Sequence, residues 1–598
     1  MTTEGPAEAP LRILALGARY PGRRESSLHD ISVEVGAGER VGVAGRTGAG
    51  KSTLALAAAG FIPRVVRAKL DGRVVIEGID AATAAPGALL GRVGIVFATP
   101  ANQLSASKLT VREELAFGLE NLGVPRAEMD ARIDTTLARL AIGHLADREP
   151  FALSGGEQQR VAIASIVAMG TNVLVLDEPT AQLDPAGTAS VVALLRELAG
   201  GGTSILCVEH DPDVLGQMDR CLILDGGGAI SLDVPGAALA GAEELAGTVP
   251  PTLIRLATAA SIDLSRAFDE PAIAAGLLGR AASRESAAAD RTPAGGQSPS
   301  GDQSPAGSQS PAASQSPAAS LTWAPARDRP SVRVTVDGLV HRYPTGLEAV
   351  RGVSLTIEPG ETVAVLGQNG SGKTPLVKHF NGLLRPTTGR VLLDGEATAG
   401  RSISQLARTV GFVFQNPDEQ LFERSVEREV AFGPRNLGIA AAEIGALVSD
   451  SLAAVGLNDQ RSTNPYDLDL SRRKLVALAG VLAMDPAVLV LDEPTTGQDA
   501  DGIARVGAVI EAMRAAGRSV VAITHDMEFA GSHFGRIIVM REGVVVADGP
   551  PDVVFAPANR ELLASTGLTP PPAARIAALM GLTVVPLDAP GLLAALRR

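Results

Sequence analysis

Apolar and polar positions along the chain fall into short blocks that predict alternating strands and helices. The runs RVGVAG, ending at Gly45, and TVAVLG, ending at Gly367, read as β-strands, each leading through a glycine-rich turn into a helix-like segment. Val173–Leu176 and Val488–Leu491 are wholly apolar and bounded by charge, the pattern of strands buried on both faces of a parallel sheet. The longest uncharged apolar-rich stretch in the expected folded parts, Val161–Leu176, has 16 residues and is interrupted by Gly170, Thr171 and Asn172. It falls short of the ~20 apolar residues that a membrane-crossing helix requires. From about Ala281 to Pro330 the patterning stops. That stretch is Ala, Ser, Gly, Pro and Gln, with QSP recurring at Gln297, Gln303, Gln309 and Gln315.

The patterned blocks occur twice. GRTGAGKST begins at Gly45 and GQNGSGKTP at Gly367; VLVLDEPTAQLDP begins at Val173 and VLVLDEPTTGQDA at Val488. Asp177 and Asp492 are 315 residues apart, and so are His210 and His525, so the C-terminal segments align without a gap. PPTLIRLA at Pro250 matches PPPAARIA at Pro570. This is a tandem duplication. It predicts one domain over residues 1–280, a disordered linker over 281–330 and a second domain over 331–598. The linker has little that is large and apolar to bury, and as a coil it would span roughly 35–42 Å on average. That reach holds two domains face to face at a millimolar effective concentration. A Pro-rich docking segment would instead show spaced PxxP units with basic flanks, which this stretch lacks.

Each half contains GxxxxGK[ST], the P-loop pattern, in the strand–turn–helix context the motif requires. The first comprises Gly45, Arg46, Thr47, Gly48, Ala49, Gly50, Lys51 and Ser52, followed by Thr53. The second comprises Gly367, Gln368, Asn369, Gly370, Ser371, Gly372, Lys373 and Thr374. Glycines let backbone N–H groups curl around phosphate oxygens while the helix N-terminus adds positive potential. Lys51 or Lys373 reaches the β/γ-phosphates, and the hydroxyl of Ser52 or Thr374 is placed to hold Mg²⁺. The buried strands end in Asp177-Glu178 and Asp492-Glu493. The first carboxylate of each pair suits the Mg²⁺ shell; the second suits a general base that polarises water.

Composition narrows the field. With 598 residues, 45% hydrophobic and 20% charged, the chain can build several cores, and length alone suggests about four folding units. The net charge of −13 argues against a nucleic-acid surface. Cys207 and Cys221 are the two cysteines, too few for a disulfide scaffold or a Cys-rich metal module, and they read as inert core residues. The N-terminus shows no signal-peptide pattern.

The P-loops, LSGGEQQR at 153–160, the Asp-Glu strands and the histidines 32 residues after each glutamate together resemble the ATP-binding-cassette (ABC) ATPases. FQNPDEQLF (414–422), EREVAFGPRNLG (427–438) and LDEPTAQLDP resemble more narrowly the cassettes of energy-coupling-factor (ECF) transporters, which import vitamins or transition-metal ions. The resemblance implies an α/β fold: two tandem ABC-type P-loop NTPase domains, each with a mixed α/β core, an antiparallel β-subdomain and a helical subdomain. It implies ATP and Mg²⁺ as cofactors and an ATP hydrolase coupled to transport. Tyr20 and Tyr343 then stand where an aromatic stacks on adenine, with core packing the alternative. Gln415 matches the glutamine that joins the Mg²⁺/water shell, and His210 and His525 match the histidine that contacts the γ-phosphate. Glu178 and Glu493 match the catalytic glutamate; Ser52, Asp177, Thr374, Gln415 and Asp492 match the metal-binding set. Head-to-tail pairing would place Ser154, Gly155, Gly156 and Glu157 of the first half over nucleotide held by the second.

The halves differ at two points. Opposite LSGGEQQR stands LDLSRRKL (468–475), so Asp469 replaces the serine and Leu470 a glycine, with Arg472, Arg473 and Lys474 able to offset the charge of Asp469. Opposite Gln415 stands Ala98. Under head-to-tail pairing both departures fall on the site of Lys51, leaving the site of Lys373 complete. Pro375 follows Thr374 and lacks the N–H that a Ser or Thr there would offer the α-phosphate. The expected protein hydrolyses ATP at one composite site and binds it at a degenerate one. It lies in the cytoplasm, peripheral on the inner face of the cell membrane, and docks on integral membrane subunits: a transmembrane coupling protein and a substrate-binding membrane protein. A soluble twin-cassette ATPase acting on ribosomes or DNA is the alternative. The extensions after Asp225 and Asp548 repeat, and contacts between the halves are one role open to them.

Overall fold

The computed structural model describes residues 8–22, 25–46, 48–153, 155–181, 183, 185–236, 252–262, 270–289, 331–344 and 346–597. Each half is built on a six-stranded sheet. In the first half its order is Ile230–Pro235, Arg220–Leu224, Arg40–Gly45, Ser204–Val208, Val173–Asp177, Val93–Val96; in the second it is Val410–Val413, Val488–Asp492, Ser519–Ile523, Thr362–Leu366, Arg536–Arg541, Val544–Gly549. All neighbours are parallel except the edge hairpins Arg220–Leu224/Ile230–Pro235 and Arg536–Arg541/Val544–Gly549. Val173–Asp177 and Val488–Asp492 are buried along their whole length, as the unbroken apolar runs require. A four-stranded antiparallel sheet flanks each core, centred on Leu11–Arg19 or Val334–Arg342.

A helical subdomain joins each core. In the first half it comprises Val111–Asn121, Arg126–Arg139 and Gly155–Ala168; in the second, Val426–Asn436, Ala441–Ala454 and Leu470–Leu482. Thr110 opens its helix with a capping box, and Ser425 accepts the Arg428 N–H in the same place. These hydroxyls satisfy donors that the helix itself leaves open.

The repeated tails become paired helices. Thr252–Ala260 and Glu270–Ala289 of the first half pack against Pro572–Leu579 and Ala589–Ala595 of the second, pooling Leu256, Ile273, Leu277, Ile576 and Leu592 into one apolar cluster. Arg575 adds an ion pair with Glu270 at 2.5 Å. The helix beginning at Glu270 runs on to Ala289, into the stretch where the sequence predicts linker. Its AASRESAAA segment is poor in large apolar residues but rich in alanine, the strongest helix former. Residues 290–330 lie outside the described residues. Among the described residues no helix is long and apolar enough to cross a membrane.

Candidate nucleotide-binding sites

Both P-loops sit at the C-terminal end of a central strand, Arg40–Gly45 or Thr362–Leu366, and lead into helices Lys51–Ala58 and Lys373–Lys378. The helices are capped by Gly50 and Gly372, with φ of 93° and 99°. A Cβ on either would lie 2.3 Å from a carbonyl, Ser27 O or Ala349 O, so the turn admits glycine alone. Lys51 Nζ folds back on the Gly45 and Arg46 carbonyls at 2.9 and 3.0 Å, and Lys373 Nζ on those of Gly367 and Gln368 at 2.6 and 2.8 Å. Burial lowers the pKa of Lys51. An ammonium that folds back on its own loop's carbonyls, with acids close by, is placed to exchange those contacts for phosphate.

Beside each lysine lies a hydroxyl–carboxylate pair: Ser52 Oγ to Asp177 at 3.3 Å and Thr374 Oγ1 to Asp492 at 3.4 Å. Burial first, and the adjacent glutamate second, pushes each aspartate up to about 6. Buried acids that grip protons this tightly are short of positive charge, which fits a site for a hard cation with oxygen ligands.

The glutamates are held alike. Glu178 and Glu493 have left-handed backbones, φ of 52° and 51°, and donate their N–H groups to Val208 O and Ile523 O at 2.9 Å. Such a backbone costs a non-glycine residue about 1 kcal/mol or more and clusters at functional positions. Glu178 Oε1 lies 3.0 Å from His210 Nε2, and Glu493 Oε1 lies 2.9 Å from His525 Nε2. Burial alone would raise both carboxyls, but the histidine partners, together with Lys51, Lys373 and Lys474, hold both below the ordinary value.

The two halves meet so that one cleft draws on both. A cavity of about 1470 Å³ is lined from the second half by Tyr343, Lys373, Thr374, Gln415, Glu493 and His525, and from the first half by Gly155 and Gly156 and also by Glu178 and His210. His525 Nε2 also lies 3.2 Å from Asn369 Oδ1, linking the histidine to the P-loop. Across the other P-loop the second half supplies different groups. Arg472 Nη1 lies 4.0 Å from where a Cβ on Gly48 would stand, Arg46 pairs with Asp501, and Gly497 lies beside Glu178. Asp469 caps the helix Leu470–Leu482 by accepting the Arg472 N–H at 2.8 Å.

Other predicted residues take their places as follows. Tyr20 packs on the first core and approaches Thr53 Oγ1 at 3.2 Å, whereas Tyr343 faces the cavity and stacks edge-on against His341. Glu157 turns to Arg148 of its own half. Ser154 and Thr47 lie outside the described residues. Of the three cations expected to offset Asp469, Arg472 does so, pairing with it at 3.7 Å and approaching Gly48 of the first P-loop; Arg473 pairs with Asp418 and Lys474 points into the interior. Cys207 and Cys221 are buried in strands, and burial raises both thiols.

One residue escaped the sequence reading. Glu209 is 3% exposed and accepts the N–H groups of Thr180, His210 and Asp211 at 3.1, 2.8 and 3.3 Å, and also the Thr180 hydroxyl. It clamps the loop after Glu178 to the loop of His210. The second half has Thr524 in its place, whose hydroxyl accepts the Asp526 N–H alone among the bonds described. The signal was a charged residue closing the otherwise apolar run SILCV.

The ABC transporter family matches residues 28–181 and 350–496. A Methanosarcina acetivorans protein, provisionally named an ABC transporter ATP-binding protein, is 37% identical over 588 residues, 98% of this chain and 92% of its own. A Streptomyces coelicolor protein with the same provisional name is 36% identical over 91% of this chain and 95% of its own. Among solved structures, cbiO1 from Clostridium perfringens, described as part of the ABC transporter complex cbiONQ, is 35% identical. It aligns with 42% of this chain and 98% of its own at a TM-score of 0.36. Two P-loops, each with its Asp-Glu strand and histidine, thus coincide with two matches to one family and with relatives similar over nearly the whole length. The chain belongs to the ABC transporter family, as an ATP-binding and ATP-hydrolysing protein with two fused ATPase domains that energise a transporter.

Proposed function

We propose that the protein powers ECF-type uptake of a vitamin or transition-metal ion, hydrolysing ATP at one composite site and holding it at a second, degenerate one. One observation carries the asymmetry. Lys373, Gln415, Glu493 and His525 share a cavity with Gly155 and Gly156 that neither Lys51 nor Asp469 lines, while Asp469 acts on Lys51 and Ala98 aligns with Gln415 in the half that carries Lys51.

In the complete site Lys373 and the P-loop N–H groups bind the triphosphate, and Glu493, kept ionised by His525, accepts a proton from the attacking water. His525 would meet the γ-phosphate from the position it holds beside Asn369. Thr374, Gln415 and Asp492 would hold Mg²⁺, with Ser52 and Asp177 the partial set on the other side; the cation would offset phosphate charge. Opposite Lys51, a methyl group at Ala98 cannot order water, and the carboxylate of Asp469 repels a triphosphate.

Docking on integral membrane subunits is supported by matching apolar patches on the helical subdomains. Leu109, Phe117 and Phe151 are exposed on the first half, and Phe422, Phe432 and Tyr466 on the second. Phe422 and Phe432 meet edge to face with centroids 4.4 Å apart, beyond the loop that carries Gln415. Paired patches of this kind suit apolar helices presented by a membrane partner. Such docking places the protein in the cytoplasm at the inner face of the membrane.

Single-turnover ATPase of Glu178→Gln against Glu493→Gln tests the asymmetry. Glu493→Gln should lose about 10²–10⁴-fold and Glu178→Gln little; equal losses refute it. Affinity purification from detergent-solubilised membranes should recover two kinds of integral membrane protein. Recovery of ribosomal proteins instead would refute the transport assignment.

A further inference from the structure

The helix Leu470–Leu482 of the second half begins at the altered signature segment, and its fifth residue is Lys474. The aligned residue of the first half is Gln159. Lys474 is 6% exposed, and its Nζ donates to the backbone carbonyl of Glu493 at 3.0 Å. One turn earlier, buried Ser471 bonds to Gln498: its hydroxyl donates to Oε1 at 2.6 Å and its carbonyl accepts from Nε2 at 3.3 Å. The same helix face is therefore fastened to the loop after Glu493 at two points.

The first half is built differently. Gln159 is 1% exposed and neither amide atom has a partner among the described residues. The Glu178 carbonyl instead accepts the Ala181 N–H at 3.3 Å, closing the loop on itself. In the second half a buried cation reaches this carbonyl from another element. Burial lowers Lys474 to about 8, against the pull of Glu493, Asp492 and, from the first half, Glu178. An ammonium is costly to bury unless acids and a directed acceptor surround it, and here both do.

The hydrogen bond has a geometric consequence. Glu493 is held at its N–H by Ile523 O and at its carboxylate by His525 Nε2. The residue after it is Pro494, which has no N–H to anchor the next peptide. Lys474 is thus the group that fixes the plane of the Glu493–Pro494 peptide and, with the left-handed φ of 51°, the direction in which the Glu493 side chain leaves the backbone.

We infer that Lys474 is a positioning residue for hydrolysis at the composite site of the second half, holding the Glu493 peptide in the turn that aims its carboxylate at His525 and the cleft. The inference rests on the reading of Glu493 as the residue that activates water. The test uses the full chain with Lys474→Met, which keeps length but cannot donate, and Lys474→Gln, which keeps an N–H donor and is the side chain found in the first half. For Lys474→Met, kcat of ATP hydrolysis should fall about 10- to 100-fold, the scale of a misplaced catalytic group, with KM unchanged. Lys474→Gln should recover part of the loss, and both should bind a fluorescent ATP analogue as the parent does. The inference is overturned if both variants fold and keep the parent kcat. It is equally overturned if kcat, KM and melting temperature all deteriorate together or neither variant folds, because the lysine is then structural. Glu493→Gln in the same assay separates the two levels. A silent Glu493→Gln removes the parent reading, whereas an inactive Glu493→Gln beside a fully active Lys474→Met removes this inference alone.

Discussion

Replacing Pro375 by threonine should tighten nucleotide binding in the second half's cleft. Pro375 is the third residue of the helix Lys373–Lys378, lines the cavity, and has Thr53 as its counterpart in the first half. N–H groups in the first turn have no partner within the helix, so at this position the group is free for a ligand. Proline has none to give. A hydrogen bond to a charged acceptor contributes about 1.5–3 kcal/mol, which converts to roughly 10- to 150-fold in the dissociation constant. The new hydroxyl would stand at the position of Thr53 Oγ1, which meets Tyr20 at 3.2 Å in the first half. The substitution also frees the unfolded chain, costing about 0.4–1 kcal/mol, or roughly 1–4 °C in melting temperature. Affinity and stability should therefore move in opposite directions. Calorimetric titration with a non-hydrolysable ATP analogue, in a Lys51→Ala background that weakens the other site, reads the affinity. An unchanged or weaker dissociation constant would refute the reasoning.

Three further outcomes follow from the packing. Arg518 and Asp485 form an ion pair at 3.2 Å with both side chains 2% exposed; Arg518→Met should cost about 3–5 kcal/mol in urea unfolding, partly recovered by adding Asp485→Asn. Ile576→Ala empties part of the cluster shared by the two extensions and should cost about 2–5 kcal/mol, seen as earlier melting and faster proteolysis of the C-terminal helices. Burial raises Glu209 from 4.5 to about 7, so the folded protein holds its proton more tightly than the unfolded chain. Stability should accordingly decline as pH rises from about 4.5 through about 7 and then level off, and Glu209→Gln should flatten that decline in thermal melts.

The sheet cores were legible because their signals are short, local and repeated. A short, wholly apolar VLVL run rich in valine and closed by charge reads as a strand covered on both faces, and a GK[ST] turn after a strand fixes where the next helix begins. What stayed hidden depended on direction and distance. Arg472, Arg473 and Lys474 look alike as a run of charge, but successive residues on a helix diverge by about 100°, so one meets Gly48, one Asp418 and one the Glu493 carbonyl. Composition likewise mistook Ala281–Ala289 for tether, because scarcity of large apolar residues measures what can be buried and not what can coil. The apolar cluster of the extensions joins residues some 300 positions apart in sequence, such as Ile273 and Ile576, and no periodicity within either tail announces its partner.

That shared cluster gives the halves a second connection besides the covalent one. Leu256, Ile273, Ile576 and Leu592 are buried together, and Thr252 reaches Glu528 on the helix that follows His525. Cutting the chain between 290 and 330 should therefore leave the halves associated on size-exclusion chromatography, and separation of the fragments would refute this.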